Sequence, residues 1–270
     1  MSGRKLTSVV ADSGGTTTSW AFVYSDNSRE YIDTKSYHPV NFNDAFFEDS
    51  EQFLAKHVTE KVPLFFFGAG MGKAENKKIL SDFFYPYFSS ATILTDIQGM
   101  VLSLDMKKGA MAVMGTGSVL VEILNGTIRQ QIGGLGHLIG DEGSAYYFGK
   151  LVLSAYFEQQ LNSEQTNDLK SKINVEDKAP EELFTLKYEV ANLAQALNAA
   201  LFEIYHIQNI REFFQKHIDD QIEIEKIAFV GSYAFFKKEL INRELQERNI
   251  KKATFIQKPI ELFCDKFAIF

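Results

Sequence analysis

The sequence has almost no cysteine. Cys264 is the single one among 270 residues. That excludes an internal disulfide, a multi-cysteine zinc site and an iron–sulfur cluster held wholly within one chain, and it fits a reducing cytoplasm. Long apolar runs are missing as well: none reaches the roughly 18 residues of a membrane-spanning helix. The opening Met1-Ser-Gly-Arg-Lys-Leu6 leads straight into a strand and carries no apolar signal core. No membrane association is therefore expected. Low-complexity segments and short-period repeats are absent. So is an excess of positive charge. The net charge of −7 disfavours nucleic acid as the main partner. A nucleotide stays admissible, because backbone amides and a metal ion can hold it.

What is present is enough apolar material for a substantial core, 45% of residues, in a chain long enough for one large domain or two medium ones. Leu6 to Asp12 reads as a buried strand and Ser13-Gly-Gly-Thr16 as a turn. Ser19 to Tyr24 and Glu30 to Tyr37 read as two more strands of an antiparallel meander. A helix over Asp44 to Lys56, a strand over Val62 to Phe67 and a helix over Lys73 to Phe84 follow. Ala91 to Leu94 reads as a strand and Gln98 to Leu104 as a short helix. The pattern then restarts. Gly109 to Met114 is a strand, Gly115-Thr-Gly-Ser118 a turn, and Val119 to Leu124 with Thr127 to Ile132 a hairpin joined at Asn125-Gly126. Long helices are expected from Ala145 and from Lys187. Ile227 to Val230 is a buried strand, followed by Gly231-Ser232 and one helix through Arg248. Thr254 to Ile256 is a last strand, and Pro259 opens a terminal helix. Each half thus begins strand, glycine turn, strand, strand, which predicts two α/β domains with a cleft between them.

The most distinctive stretch is Gly133-Gly-Leu-Gly-His-Leu-Ile-Gly-Asp-Glu-Gly-Ser144, five glycines around one acidic pair. Glycine allows positive φ and lets a ligand approach bare amides. A carboxylate held in such a loop can read a hydroxyl or a metal-bound water. A mere hairpin tip would not need glycines on both sides of the acids and a helix directly behind them.

Taken in order, several motifs resemble the superfamily of sugar kinases, actin and heat-shock chaperones. They are Asp12-Ser-Gly-Gly-Thr-Thr-Thr-Ser-Trp20, Gly68-Ala-Gly70, Thr95-Asp-Ile-Gln-Gly99, Gly115-Thr-Gly-Ser118, the Gly133–Ser144 loop and Gly231-Ser-Tyr-Ala234. Within that superfamily the chain resembles the BadF-type ATPases and, more narrowly, the N-acetylglucosamine kinases. Single short turns are weak signals; the ordered set covers the chain almost from end to end. The resemblance implies an α/β fold of two ribonuclease H-like, actin-like ATPase domains around a central cleft. They would span 1–108 and 109–270, with a boundary near Lys107-Lys108-Gly109 and a terminal helix able to pack back on the first domain. It further implies an ATP- and Mg²⁺-dependent cytoplasmic kinase converting an amino sugar, N-acetylglucosamine first, to its 6-phosphate. The alternative is a non-catalytic or regulatory ATP- and sugar-binding protein of the same family. There are departures: Ser13 stands where relatives usually have glycine, and Leu135 where sugar kinases of this type often carry Trp. The second domain is short, and the chain ends at Phe270 without the glycine-alanine helix of many relatives.

Phosphoryl transfer requires positioning, a metal ion and charge neutralisation. Under the resemblance, Asp12 holds Mg²⁺ directly or through water, since hard cations prefer oxygen ligands. Gly14, Gly15 and Thr16, and the matching turn Gly115, Thr116, Gly117 and Ser118, meet the phosphates. Gly231 and Ser232 form the adenosine turn. Asp96 is the general base for the sugar hydroxyl, and as a residue opening a helix it reads equally as an N-cap. Asn41, Gly134, Leu135 and Asp141 join Asp96 as sugar contacts, with Glu142 in support; Asn41 reads equally as a turn or capping residue. His137 reads as structural. The aromatic and leucine-rich helices after Ala145 read as core or as a homodimer face.

Two other enzyme classes fit the sequence less well. Gly68-Ala-Gly-Met-Gly72 lies between a strand and a helix, but Lys73 stands where a dinucleotide fingerprint needs glycine. A reductase-activating ATPase needs a pair of cysteines per subunit for its shared cluster, and this chain has one.

Overall fold

The computed structural model describes residues 4–219 and 224–268. The chain forms two compact units, Met1–Asp105 with Pro259–Phe270, and Met106–Lys258.

The first unit runs β1 (Leu6–Ser13), β2 (Thr17–Tyr24), β3 (Arg29–Lys35), a 3₁₀ turn (Pro39–Asn41), α1 (Asp44–His57), β4 (Pro63–Gly68), α2 (Ala74–Phe84), β5 (Ser90–Leu94) and α3 (Asp96–Leu104). Its sheet has the order β3-β2-β1-β4-β5. The first three strands are antiparallel, and β4 and β5 join parallel to β1. Trp20, Tyr37, Phe66 and Phe84 are fully buried and in ring contact across this core. Burying each such ring contributes roughly 1.5–3 kcal/mol. Asp12 lies opposite Phe67, Ser13 opposite Gly68, and Phe67 opposite Leu94. The three parallel strands therefore end level, and Asp12, Gly68 and Thr95-Asp96 share the carboxyl edge where α/β sheets bind ligands. A Cβ on Gly99 would fall 2.3 Å from the Phe67 ring, so only glycine lets α3 lie directly on β4.

The second unit runs β6 (Lys108–Met114), β7 (Ser118–Leu124), β8 (Thr127–Gly133), α4 (Ala145–Phe157), α5 (Ser163–Lys172), α6 (Pro180–Thr185), α7 (Lys187–Ala196), α8 (Glu203–Phe214) with a π turn to Asp219, β9 (Lys226–Val230), α9 (Ser232–Phe236), α10 (Lys238–Glu247) and β10 (Lys252–Ile256). Its sheet, β8-β7-β6-β9-β10, repeats the plan of the first: a three-stranded antiparallel meander extended by two parallel strands. Asn125 and Gly126, both at positive φ, make the tight β7–β8 turn.

Two local expectations are corrected. The two long helices after Ala145 are five shorter ones among the described residues, because Asn162 and Gln165 form a capping box and Pro180 starts α6. The helix through Arg248 is broken at Lys237, whose backbone (φ −106°, ψ 18°) leaves helical geometry. The last helix, α11 (Pro259–Phe267), falls in the first unit. There Phe263 and Phe267 pack on Phe67, with ring centroids 4.3 and 4.8 Å away. Asp265 accepts from Arg29 at 2.7 Å.

Candidate active site

In the first unit the level strand ends bring two carboxylates into electrostatic contact. Asp12, half-buried at the end of β1, has its pKa pushed up to about 7, by burial first and by the Asp96 charge second. Burial also raises Asp96, against the opposing pull of the Ile97 N–H and of His38. Asp96 is not the cap of α3. That role falls to Thr95, whose Oγ1 accepts from the Gln98 N–H at 3.0 Å while Gln98 Oε1 accepts from the Thr95 N–H at 3.1 Å. At the helix end the Asp96 carboxylate accepts from the next amide, Ile97, at 2.9 Å.

The hairpin after Asp12 is locked by its neighbours. Gly14 N–H donates to Thr17 O at 3.0 Å, so this amide closes the turn instead of facing a phosphate. Gly15 and Thr16 form the exposed tip. Ser13, the departure from glycine, has a structural role. Its buried hydroxyl accepts from Thr18 Oγ1 at 2.7 Å and from the Tyr37 N–H at 3.1 Å. Ser36 Oγ donates to Gly14 O, and Asn41 Nδ2 donates to Ser36 O at 2.9 Å. Asn41 is thus a turn residue tied to the hairpin; the cap of α1 is Asn43. Gly70, at φ +79°, is explained by the same segment: a Cβ there would strike Pro39 at 2.6 Å and His38 at 3.2 Å. This glycine serves packing, which removes the motive for a dinucleotide turn.

In the second unit the two expected nucleotide turns touch. A Cβ on Gly231 would come within 2.8 Å of Met114 O and 3.3 Å of Gly115 N, and Gly231 has φ +111°. Only glycine permits this approach. Gly231 N–H donates to Ile256 O at 2.9 Å, and Gly115 N–H to Gly117 O at 3.0 Å, so both amides are engaged inside the fold. Ala145 and Tyr146, at the start of α4, donate to the carbonyls of Gly115 and Thr116 at 2.8 and 3.3 Å. Ser144 caps the same helix.

The glycine-rich loop delivers Asp141 to the first of these turns. A Cβ on Gly117 would lie 2.8 Å from Asp141 Oδ2, and the Asp141 carboxylate accepts from the Ser118 backbone. Asp141 is buried and sits at φ +67°, a region that Asp tolerates better than most residues. Burial raises its pKa, offset by the Ser118 backbone, Lys187 and His137. Glu142 points elsewhere. It accepts from Lys216 Nζ at 2.5 Å and His217 Nε2 at 3.2 Å. Burial would raise its pKa, but these partners outweigh burial and hold it ionised, while burial keeps His217 neutral. Leu135 stays exposed at 63%, and Gly134 is exposed beside it, at φ +67°. His137 packs edge-on against Tyr146, 4.9 Å between centroids, a structural role. His38, Asn209, Lys216 and His217 lie in no sequence motif. Of the four, only Asn209 and His217 carry a signal, as polar members of the buried stripe His206, Asn209, Ile210, Phe213, Phe214, His217.

Among the described residues no group of three or more His, Cys, Asp or Glu gathers to hold a metal by itself. Asp12 beside Asp96 nevertheless suits a hard cation that takes one or two carboxylates and completes its shell from phosphates and water, as Mg²⁺ does. No helix among the described residues is long and apolar enough to cross a membrane. Cys264 is fully buried, with its thiol pushed up to about 11 by burial.

The repeated strand order and paired glycine turns define the class: a fold of two ribonuclease H-like units, shared by actin-like ATPases and sugar kinases. The protein provisionally named N-acetylglucosamine kinase from Porphyromonas gingivalis superposes with a TM-score of 0.80 at 17% identity, over 97% of this chain and 99% of that one. A second of that provisional name, from Chromobacterium violaceum, gives 0.67 at 16% identity, over 95% and 98%. No family model matches the chain. In sequence it is similar to the N-acetylmuramic acid/N-acetylglucosamine kinase of Clostridium acetobutylicum, 27% identical over 146 residues. That match covers 49% of this chain and 47% of the relative, about half the length of each. The resemblance carried by the motifs is thus shared by a curated sequence and by the solved folds.

Proposed function

We propose that the protein is an ATP-dependent amino-sugar kinase whose preferred acceptor is N-acetylglucosamine, phosphorylated at its 6-hydroxyl. The observation that carries this reading is Asp96: a carboxylate at the ligand-binding edge of a sheet, relieved of capping by Thr95 and raised in pKa by burial. Such a group suits a general base. In the reaction the sugar hydroxyl oxygen attacks the γ-phosphorus, its proton passes to Asp96, and the bond to the β-phosphate oxygen breaks to release ADP. Mg²⁺ supplies neutralisation of phosphate charge when bound, and Asp12 is the residue that would hold it. The adjoining Gly115 and Gly231 turns receive the nucleotide, and Asp141 orients the sugar or the transferred group by accepting hydroxyl hydrogen bonds.

The names of the similar proteins support the amino-sugar class. A coupled ADP-release assay against N-acetylglucosamine, N-acetylmuramic acid, N-acetylmannosamine, glucosamine and glucose tests the reading. Turnover with an N-acetylated amino sugar is expected. Nucleotide binding without turnover on any sugar would leave a sensor in place of a kinase.

A further inference from the structure

We infer that Asn209 and Tyr233 are positioning residues that tie the acidic loop to the Gly231 turn, so that a ligand ordering one orders the other. The identity of the two ligands rests on the kinase reading; the tie itself rests on the geometry of the second unit.

Asn209, on α8, is wholly buried. Its Oδ1 accepts from the Gly143 N–H at 2.6 Å, and its Nδ2 donates both to Ser144 O and to Tyr233 Oη at 2.8 Å. Both amide hydrogens are therefore engaged. Tyr233 lies two residues after Gly231, in α9. Having accepted from Asn209, its hydroxyl gives its own hydrogen to His206 Nδ1 at 2.9 Å. His206 can accept because it is neutral, its pKa pushed down to about 3 by burial and by Lys237, and its ring stacks on Phe148 at 3.8 Å. A buried network of this kind has one satisfied arrangement, since each broken bond strands a polar group away from water. Gly143 has no slack either: a Cβ there would strike Phe213 at 2.7 Å and Met114 at 2.9 Å. A shift of the Gly231 turn therefore reaches Gly143, two residues from Asp141, through one side-chain amide.

The test compares the wild-type protein with Tyr233→Phe, which keeps the ring and removes the hydroxyl. Asn209→Asp, which keeps the acceptor for Gly143 and loses both donors, is the second variant. Hydrogen exchange of the 140–145 segment is followed with and without saturating ADP. The N-acetylglucosamine Kd is measured in both states. In wild type, ADP is expected to slow exchange in the segment. In the variants that slowing shrinks, and the ratio of sugar Kd without and with ADP falls by about 2- to 30-fold. Variants that transmit the nucleotide effect like wild type overturn the tie, as does a wild type whose loop ignores bound ADP. If ADP protects the loop but no amino sugar is phosphorylated, the tie stands and the kinase reading fails. If the sugar is phosphorylated and Tyr233→Phe couples normally, the reading stands and the tie fails.

Discussion

Asp12→Asn should make the protein more stable and less able to use metal-bound nucleotide. The wild-type carboxylate has a folded pKa of about 7, against an unfolded value near 4. A carboxylate raised in this way contributes stability that is fully present below about pH 4 and is lost as the pH rises through about 7. The gap of about three pH units corresponds to about 4 kcal/mol at pH 8, and to about 1.5 kcal/mol at pH 5. Both are upper bounds, because Asp12 is half-buried and water at the sheet edge screens its charge. Asparagine carries no charge to bury, so the variant should exceed wild type by about 1–4 kcal/mol at pH 8. At about 2–4 °C per kcal/mol for a chain of this size, that is a rise of several degrees. Thermal melts of both proteins at pH 5 and pH 8, without nucleotide, measure it, and the difference should widen with pH. Saturating MgATP should close the gap by stabilising wild type alone. A variant less stable than wild type at pH 8, or an advantage independent of pH, would refute the argument that an uncompensated charge sits at this edge.

Asp96→Asn should retain sugar and nucleotide affinity, because Thr95 keeps α3 capped, and lose at least about 100-fold in kcat; a raised KM with normal kcat would make Asp96 a binding residue. Asp141→Asn, which tolerates the left-handed backbone, should weaken the sugar by about one to two decades, the worth of a charged hydrogen bond of roughly 1.5–3 kcal/mol. If titration calorimetry shows the loss in ATP instead, Asp141 belongs to the phosphate side, as its contact with Gly117 allows. Gly231→Ala should cost about 1–3 kcal/mol and lower nucleotide affinity, since a Cβ would meet Met114 O at 2.8 Å; denaturant melts with and without ADP would detect both.

Much of the fold was legible because its signals are local. Asn125-Gly126 named its hairpin, and the two strand–glycine turn–strand–strand openings announced the repeated sheet plan. The helical region between Ala145 and Asp219 was less legible. Its breaks depend on caps such as Asn162 with Gln165 and on the close approach of Gly149 to the Val190 carbonyl, which a linear pattern does not reveal. The site divides the same way. Asp12 and Asp96 stood out as acids at or just after strand ends, and Asp141 as an acid inside a glycine-rich loop. Which amides are engaged inside the turns, and that Thr95 rather than Asp96 caps α3, are decided by three-dimensional hydrogen bonding. Ser13 looked like a departure and is a lock on the hairpin. Asn209 is 66 residues from the amide it holds, a separation no motif spans.

The central claim is that this chain transfers the γ-phosphoryl group of ATP to the 6-hydroxyl of an N-acetylated amino sugar. Phosphorus NMR of the wild-type protein with ATP, Mg²⁺ and N-acetylglucosamine observes that transfer directly. The account predicts a growing phosphomonoester resonance, coupled to the sugar's C6 protons and matched by ADP, and its near-absence with Asp96→Asn. ATP that stays intact with each of the N-acetylated sugars, or is hydrolysed to inorganic phosphate alone, would contradict it.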